Sequence, residues 1–183
     1  MNMQPDIEIT HDFLPEQETL FRALIGSVEW DQRMRARKTA SFGVPYRDAQ
    51  IDYDAQPVPD ALAKLRDDVA EHLGWEPNHL LLDYFPQRRS ATGMHVEKVE
   101  HLDPDTGIAI VSLGATRIMV FERIEDGYMC GRELRPGSLM VMDLLTQAQW
   151  RHGMPARPGV GPRINITFRK LLAAEMPQAR TGS

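Results

Sequence analysis

Cysteine is nearly absent from this chain of 183 residues: Cys130 stands alone, so no internal disulfide framework exists. No run approaches the 18 or so apolar residues that a membrane span needs. The chain does not open on a basic segment followed by an apolar one, and a cytoplasmic home is therefore the expectation. Internal repeats and low-complexity tracts are lacking too, and the length suits one domain around one sizeable core. Positive charge is in short supply, with 21 Lys and Arg against 26 Asp and Glu, a net charge of −5 and a pI of about 5.7. That balance argues against a generic duplex binder, whose affinity comes mainly from neutralising phosphates. Two local basic segments stand apart from it, Arg33, Arg35, Arg37 and Lys38 in one and Arg88 and Arg89 in the other. Such runs are more often solvated faces or ion pairs than binding sites.

What is present divides into a helical first part and a β-rich remainder. After Pro15, Leu20, Phe21, Leu24, Ile25 and Val28 recur at helical spacing, with Glu16 and Glu18 near the start as a helix N-terminus favours. A second helix is predicted over 60–74, with Leu62, Leu65, Val69 and Leu73 on one face, Asp60 placed to cap it and Gly74 placed to end it. Between them, 33–43 reads as extended and 44–59 as loop or short strands. From 79 onward, eight short strands follow: 79–85, 93–97, 108–113, 117–122, 131–134, 138–142, 150–154 and 163–170. The expected fold is α+β and mostly β, a jelly-roll (double-stranded β-helix, cupin-like) core with two packing helices from the N-terminal half. One domain is expected over 1–172, with the jelly roll in 79–172 and a flexible tail over 173–183.

The segment that sets the chemistry is 163–169, RINITFR. Arg163, Asn165, Thr167 and Arg169 fall at every second position and Ile164, Ile166 and Phe168 fill the gaps, so in a strand one face is apolar and the other carries two guanidiniums. Taken alone, this alternation describes a surface strand with a solvated side. Upstream, Gly93-Met94-His95-Val96-Glu97 reads as a strand in which an imidazole and a carboxylate share a face. With His152 they make the two-His-one-carboxylate set whose open positions suit non-haem Fe(II) oxygen chemistry. The dyad alone carries little: six His and 26 acidic residues give roughly one H-x-[DE] by chance, and His101-Leu102-Asp103 is a second instance. The signal lies in the order of dyad, long β-rich gap, His152 and then the two arginines.

In that order the residues resemble the AlkB-like branch of the Fe(II)/2-oxoglutarate dioxygenases. The resemblance runs from roughly Arg37 to Leu172, through RKTASFGVPY, PNHLLLDYFP, GMHVE, TGIAIVSLGATRIMVF, RPGSLMVM, QWRH and GPRINITFRK. Its most specific element is R-x-N-x-T-x-R. It implies Fe(II) held by His95, Glu97 and His152, with 2-oxoglutarate and O2 as cosubstrates. It also implies that Arg163 grips the distal carboxylate of 2-oxoglutarate, that Arg169 helps to hold the chelating end, and that Asn165 assists. Residues 1–78 then supply helices and a substrate lid. Two departures stand out. Glu97 occupies a position where the family has Asp, and Asp83-Tyr84-Phe85 stands where it has N-x-Y, placing Asp83 and Phe85 in the cosubstrate site. Loss of the tyrosine hydroxyl forfeits a charge-assisted hydrogen bond of about 1.5–3 kcal/mol. An ionised Asp83 ~4 Å from the cosubstrate repels it by about 4 kcal/mol at an effective dielectric near 20. Asp83 therefore calls for neutralisation by Arg169, Arg88 or Arg89, for a raised pKa, or for an outward orientation, with Tyr84 packed on the opposite side.

The resemblance implies hydroxylation of a C–H bond. When the carbon is bonded to nitrogen, the product collapses to formaldehyde and the demethylated amine. The acidic balance, the altered cosubstrate positions and the compact lid favour a small-molecule substrate. The alternative is oxidative demethylation of alkylated DNA or RNA bases, with the arm 33–42 as a clamp; a catalytically inactive binding module is a further one. Arg37, Phe42, Tyr46, Arg89 and Trp150 are the candidate substrate contacts. No membrane partner is expected, and a monomer is the default.

Overall fold

A computed structural model describes residues 4–48, 50–87 and 89–172. The predicted tail and Arg88 lie outside the described residues. The elements, in chain order, are β1 (Ile7–Thr10), α1 (Gln17–Ser27), β2 (Lys38–Gly43), β3 (Tyr46–Asp48), β4 (Ile51–Tyr53), α2 (Asp60–Leu73), β5 (His79–Phe85) and β6 (Thr92–His95). A 3-10 turn (Val99–His101) follows, then β7 (Ile108–Gly114), β8 (Arg117–Arg123), β9 (Met129–Leu134), β10 (Leu139–Met142), α3 (Leu144–Gln149), β11 (Trp150–Met154) and β12 (Arg163–Arg169). They form a six-stranded sheet in the order β1-β10-β7-β12-β5-β2, a four-stranded sheet β6-β11-β8-β9, and the separate hairpin β3-β4. Every pairing is antiparallel, the arrangement of a double-sheet jelly roll.

Two apolar layers lie on either side of the larger sheet. On its outer face, Ile164, Ile166 and Phe168 of β12 meet Leu80 and Leu82 of β5 and Ala109, Val111 and Leu113 of β7. Leu24 of α1 and Leu62, Leu65 and Val69 of α2 cover them. The helices form where the 3.6-residue spacing predicts because each must bury one stripe on that sheet. Gly74 closes α2 in the left-handed conformation at φ 75°, its N–H returning to the Ala70 carbonyl. Asp60, in contrast, makes no capping bond: Pro59 holds the N-cap position, and Asp60 is the first helical residue. Its carboxylate acts only through its charge at the helix N-terminus.

The second layer fills the space between the sheets with Phe85, Ile108, Ile110, Met119, Phe121, Met140, Trp150 and Met154, among others. All seven residues of β12 are buried, the polar ones included. The polar side of 163–169 is thus no solvated face. It points into the barrel, and its cations must find partners there.

Two elements went unforeseen. β1 adds to the edge of the large sheet through β10, with Ile7 opposite Met142. α3 is one short helix started by Asp143, whose Oδ1 accepts the Thr146 N–H at 2.7 Å.

Candidate metal centre and cosubstrate pocket

His95 and His152 are direct cross-strand partners between β6 and β11, with ring centroids 4.5 Å apart. A register shift follows on the same pair, since Met154 faces Thr92. Such a bulge bends a strand and re-aims its side chains, a recurring device beside active sites. The strands also approach closely here: a Cβ on Gly153 would lie 2.9 Å from Met94 Sδ and 3.0 Å from the Gly93 carbonyl carbon and oxygen. Gly153→Ala must push β6 off β11 and part the two imidazoles. The expected result is at least a tenfold loss of Mn(II) affinity in a chain that still melts cooperatively, and parent-like affinity would refute the tight-approach argument.

Glu97 joins the pair from beyond the end of β6. The sequence placed it on the strand beside His95, but the strand stops at His95 and the carboxylate returns from the following loop, accommodating its extra methylene. One donor atom from each of His95, Glu97 and His152 lies within 4.8 Å of the others. Among the described residues this is the one group of His, Cys, Asp or Glu that could hold a metal. The rival dyad is dispersed: His101 sits in the 3-10 turn and Asp103 pairs with Lys170 at 3.0 Å.

The protonation states suit a metal. His95 Nδ1 lies 2.8 Å from the Gly93 carbonyl, to which it donates, leaving Nε2 as the free lone pair. Burial, reinforced by the neighbouring His95, pulls the His152 imidazole down to about 4, so it stays neutral at physiological pH. Burial alone pushes the Glu97 carboxyl up; Arg169, aided by both imidazoles, outweighs it and holds the group at about 2. Arg169 grips Glu97 with two bonds, Nε to Oε2 at 3.0 Å and Nη2 to Oε1 at 2.8 Å. A carboxylate has about four lone-pair sites, so this fork leaves capacity for a metal. Arg169 Nη1 has no hydrogen-bond partner among the described residues, and the Tyr46 ring centroid lies 5.0 Å from the guanidinium.

Arg163 is fully buried and bonded only to neutral acceptors. Nε reaches Asn165 Oδ1 at 2.7 Å, Nη1 the Ala115 and Leu134 carbonyls at 3.0 Å each, and Nη2 Ser112 Oγ at 2.6 Å. Burial, with the charge of Arg117 added, lowers its pKa to about 9. A buried cation without a carboxylate has the chemistry of a carboxylate anchor; Arg163 itself does not line the cavity over the three donors, and Asn165, to which it is bonded, does.

Asp83 faces inward, and its neutralising partner is none of those expected from the sequence. Arg37 binds it through Nε and reaches Asp48 of the β3-β4 hairpin through Nη2 at 3.1 Å. Burial raises the Asp83 pKa and the Arg37 charge opposes the rise. Arg37 therefore ties the hairpin to the barrel wall rather than standing free as a substrate clamp. Tyr84 packs outward against Trp30, with ring centroids 5.1 Å apart.

The remaining candidates separate cleanly. A cavity of about 350 Å³ lies over the three donors, lined by Arg37, Tyr46, Asp83, Asn165, Thr167 and Arg169, with Met94, Val96, Lys98 and Arg47 also on its wall. Phe42 does not line it, because Phe42 belongs to the helix-facing layer. Trp150 is buried between the sheets and meets Tyr128 edge-on at 6.3 Å. Arg89 is exposed in a turn and absent from the lining. Phe85, fully buried, stands directly opposite Arg163 across β5 and β12 and does not line the open cavity. The tyrosine at 46 lines the pocket, but its ring already packs on His79 at 4.3 Å.

Two imidazoles and a carboxylate inside an antiparallel jelly roll, beside a buried arginine with no carboxylate partner among the described residues, are the donor set of the facial-triad class of non-haem metal sites. Residues 6–169 match the family model of the 2OG-Fe(II) oxygenase superfamily, and the chain belongs to that superfamily, in its AlkB-like branch. The human protein named DNA oxidative demethylase ALKBH2 is 32% identical over 148 residues, covering 74% of this chain and 57% of the relative. The bovine alpha-ketoglutarate-dependent dioxygenase alkB homolog 3 is 29% identical over 177 residues, covering 85% of this chain and 62% of the relative. The chain thus spans about three-fifths of the length of these curated relatives. A solved structure of OsALKBH1 shares the fold, with a TM-score of 0.67 at 16% identity over 93% of this chain and 100% of that one. No helix among the described residues is long and apolar enough to cross a membrane.

Proposed function

We propose that the chain is a 2-oxoglutarate-dependent dioxygenase that removes alkyl groups from nitrogen atoms of nucleic-acid bases. His95, Glu97 and His152 would hold Fe(II), Arg163 the distal carboxylate of 2-oxoglutarate, and Arg169 with Asn165 the wall near the chelating end. When bound, Fe(II) with 2-oxoglutarate and O2 supplies oxidation of an unreactive C–H bond, with succinate and CO2 as coproducts. The chain's own residues do the rest. Arg169 keeps Glu97 ionised, the barrel keeps His152 neutral, and the apolar layer around Ile110 and Met119 excludes water from the reacting carbon. Hydroxylation of an N-methyl carbon gives an N-hydroxymethyl group, which releases formaldehyde and restores the N–H.

The observation that carries the choice of substrate is the similarity to relatives named DNA oxidative demethylase, at up to 32% identity. The sequence favoured a small molecule instead, on charge balance and lid size; no relative reported above supports that preference. The electrostatics limit how a nucleic acid could bind. Arg33 is paired with Asp31, Arg37 is committed to Asp83 and Asp48, and Arg47 pairs with Asp52. Two of the four cations of the predicted basic arm, Arg33 and Arg37, are therefore neutralised within the protein. Lys98, exposed on the cavity wall, has no ion-pair partner among the described residues, and Met94 and Val96 beside it are exposed apolar side chains. So small a cationic rim suits a single-stranded or extruded base held by few phosphates better than a duplex held by many. The test is incubation of the protein, Fe(II) and 2-oxoglutarate with a single-stranded oligonucleotide carrying N-methylated adenine or cytosine. Stoichiometric formaldehyde and loss of one CH2 from the oligonucleotide are expected. An unchanged oligonucleotide, alongside metabolites hydroxylated in the same preparation, would return the substrate to the small-molecule class.

A further inference from the structure

The closed end of the barrel holds two buried guanidiniums, and only Arg163 was anticipated as a binding group. Arg117, the first residue of β8, is 1% exposed. Its Nη2 donates to the carbonyls of Ser90 at 3.0 Å and Pro155 at 2.5 Å, while Nε and Nη1 have no hydrogen-bond partner among the described residues. The two arginines occupy one neighbourhood. Leu134, whose carbonyl takes Arg163 Nη1, is the register partner of Arg117 across β8 and β9. Phe85 is the register partner of Arg163 across β5 and β12, and its ring centroid lies 5.7 Å from the Arg117 guanidinium. Phe85 itself offers this end of the barrel no hydrogen-bonding group.

A donor count separates the roles of the two arginines. A guanidinium has five N–H groups. Arg163 spends four of them on Asn165, Ala115, Leu134 and Ser112, so only one N–H on Nη2 remains. Arg117 spends two, and three remain, all buried. Arg163 in this arrangement has one N–H to offer a carboxylate, whereas Arg117 has three. Neither has a carboxylate partner among the described residues, and unpaired buried cations are costly until an anion arrives. Burial, and after it the charge of Arg117, lowers the pKa of Arg163.

We propose that Arg117 is a second anchor for the distal carboxylate of 2-oxoglutarate, completing with its free Nε and Nη1 groups a grip that Arg163 can only half supply. The arrangement makes the closed end selective for a ligand with an anionic far terminus over one that only chelates the metal.

Binding to the Mn(II)-loaded full chain tests this without turnover, by calorimetry with two probes. N-oxalylglycine carries both the chelating end and the distal carboxylate; oxalate carries the chelating end alone. Arg117→Met is expected to weaken N-oxalylglycine by about ten- to a hundredfold, the loss of a charge-assisted contact, and to leave oxalate within about twofold. Arg117→Lys, which keeps the charge but not the fork, is expected to fall between Arg117→Met and the parent. Equal weakening of both probes would mean that Arg117 only shapes the barrel, and overturns the proposal. So would an unchanged ratio of the two affinities in either variant. If Arg117→Met does not fold, the ratio measured in Arg117→Lys decides alone. Demethylation plays no part in the readout, so failure here is distinguishable from failure of the substrate assignment.

Discussion

His152→Ala is expected to lower the affinity for Mn(II), the redox-silent substitute for Fe(II), by at least about a hundredfold and to abolish succinate formation. Removal of a group that merely orients a metal ligand costs about 10–100-fold. Here one of three donors gathered within 4.8 Å is itself deleted, and among the described residues no other His, Cys, Asp or Glu completes such a group. The fold is expected to survive, because the β11 backbone pairs with both β6 and β8 whatever the side chain. Calorimetric titration of the metal-free protein, checked by a cooperative melt, measures it. A variant that binds Mn(II) like its parent would remove His152 from the centre and with it the facial-triad assignment.

Arg169→Met is expected to destabilise the metal-free protein by about 3–5 kcal/mol, the cost of leaving one partner of a buried ion pair uncompensated. Both groups lie inside the barrel, Arg169 with its side chain 4% exposed and Glu97 10%, joined by two hydrogen bonds. Methionine fills similar space without charge, so the loss reports chiefly on Glu97. A divalent cation supplies the missing countercharge, and saturating Mn(II) is therefore expected to add more stability to the variant than to the parent. Denaturant unfolding with and without Mn(II) gives both quantities. Equal stability of variant and parent would show that Glu97 does not depend on Arg169, and would undo the account of its low pKa.

Much of the architecture was legible because local patterns dictate it. The stripe of Leu62, Leu65 and Val69 makes α2 wherever it packs, and the alternation in RINITFR makes β12 whatever its neighbours. β1 and α3 escaped notice because four and six residues give too little period to read, and β1 exists only through its pairing with β10 across the chain. The misplaced substrate contacts share a different cause. Residue type alone suggests Phe42 and Trp150, but strand parity decides which way they face, and parity turns Phe42 to the helices and Trp150 into the inter-sheet layer. Asp83 found Arg37, 46 residues away, because Lys38 to Gly43 lies beside β5 in the sheet, an adjacency that no local pattern announces.

The order of residues along the chain was enough to single out candidate donors: two imidazoles, a carboxylate and a pair of arginines, on segments whose strand or helix character follows from their own spacing. Folding decided which side of β12 is inside, which cation answers which carboxylate, and that Arg117 lies buried with donors to spare. Periodicity is a property of neighbouring residues and survives in any context. Burial and pairing depend on register between strands tens of residues apart, and the energy of a charge depends on what surrounds it once water has been excluded.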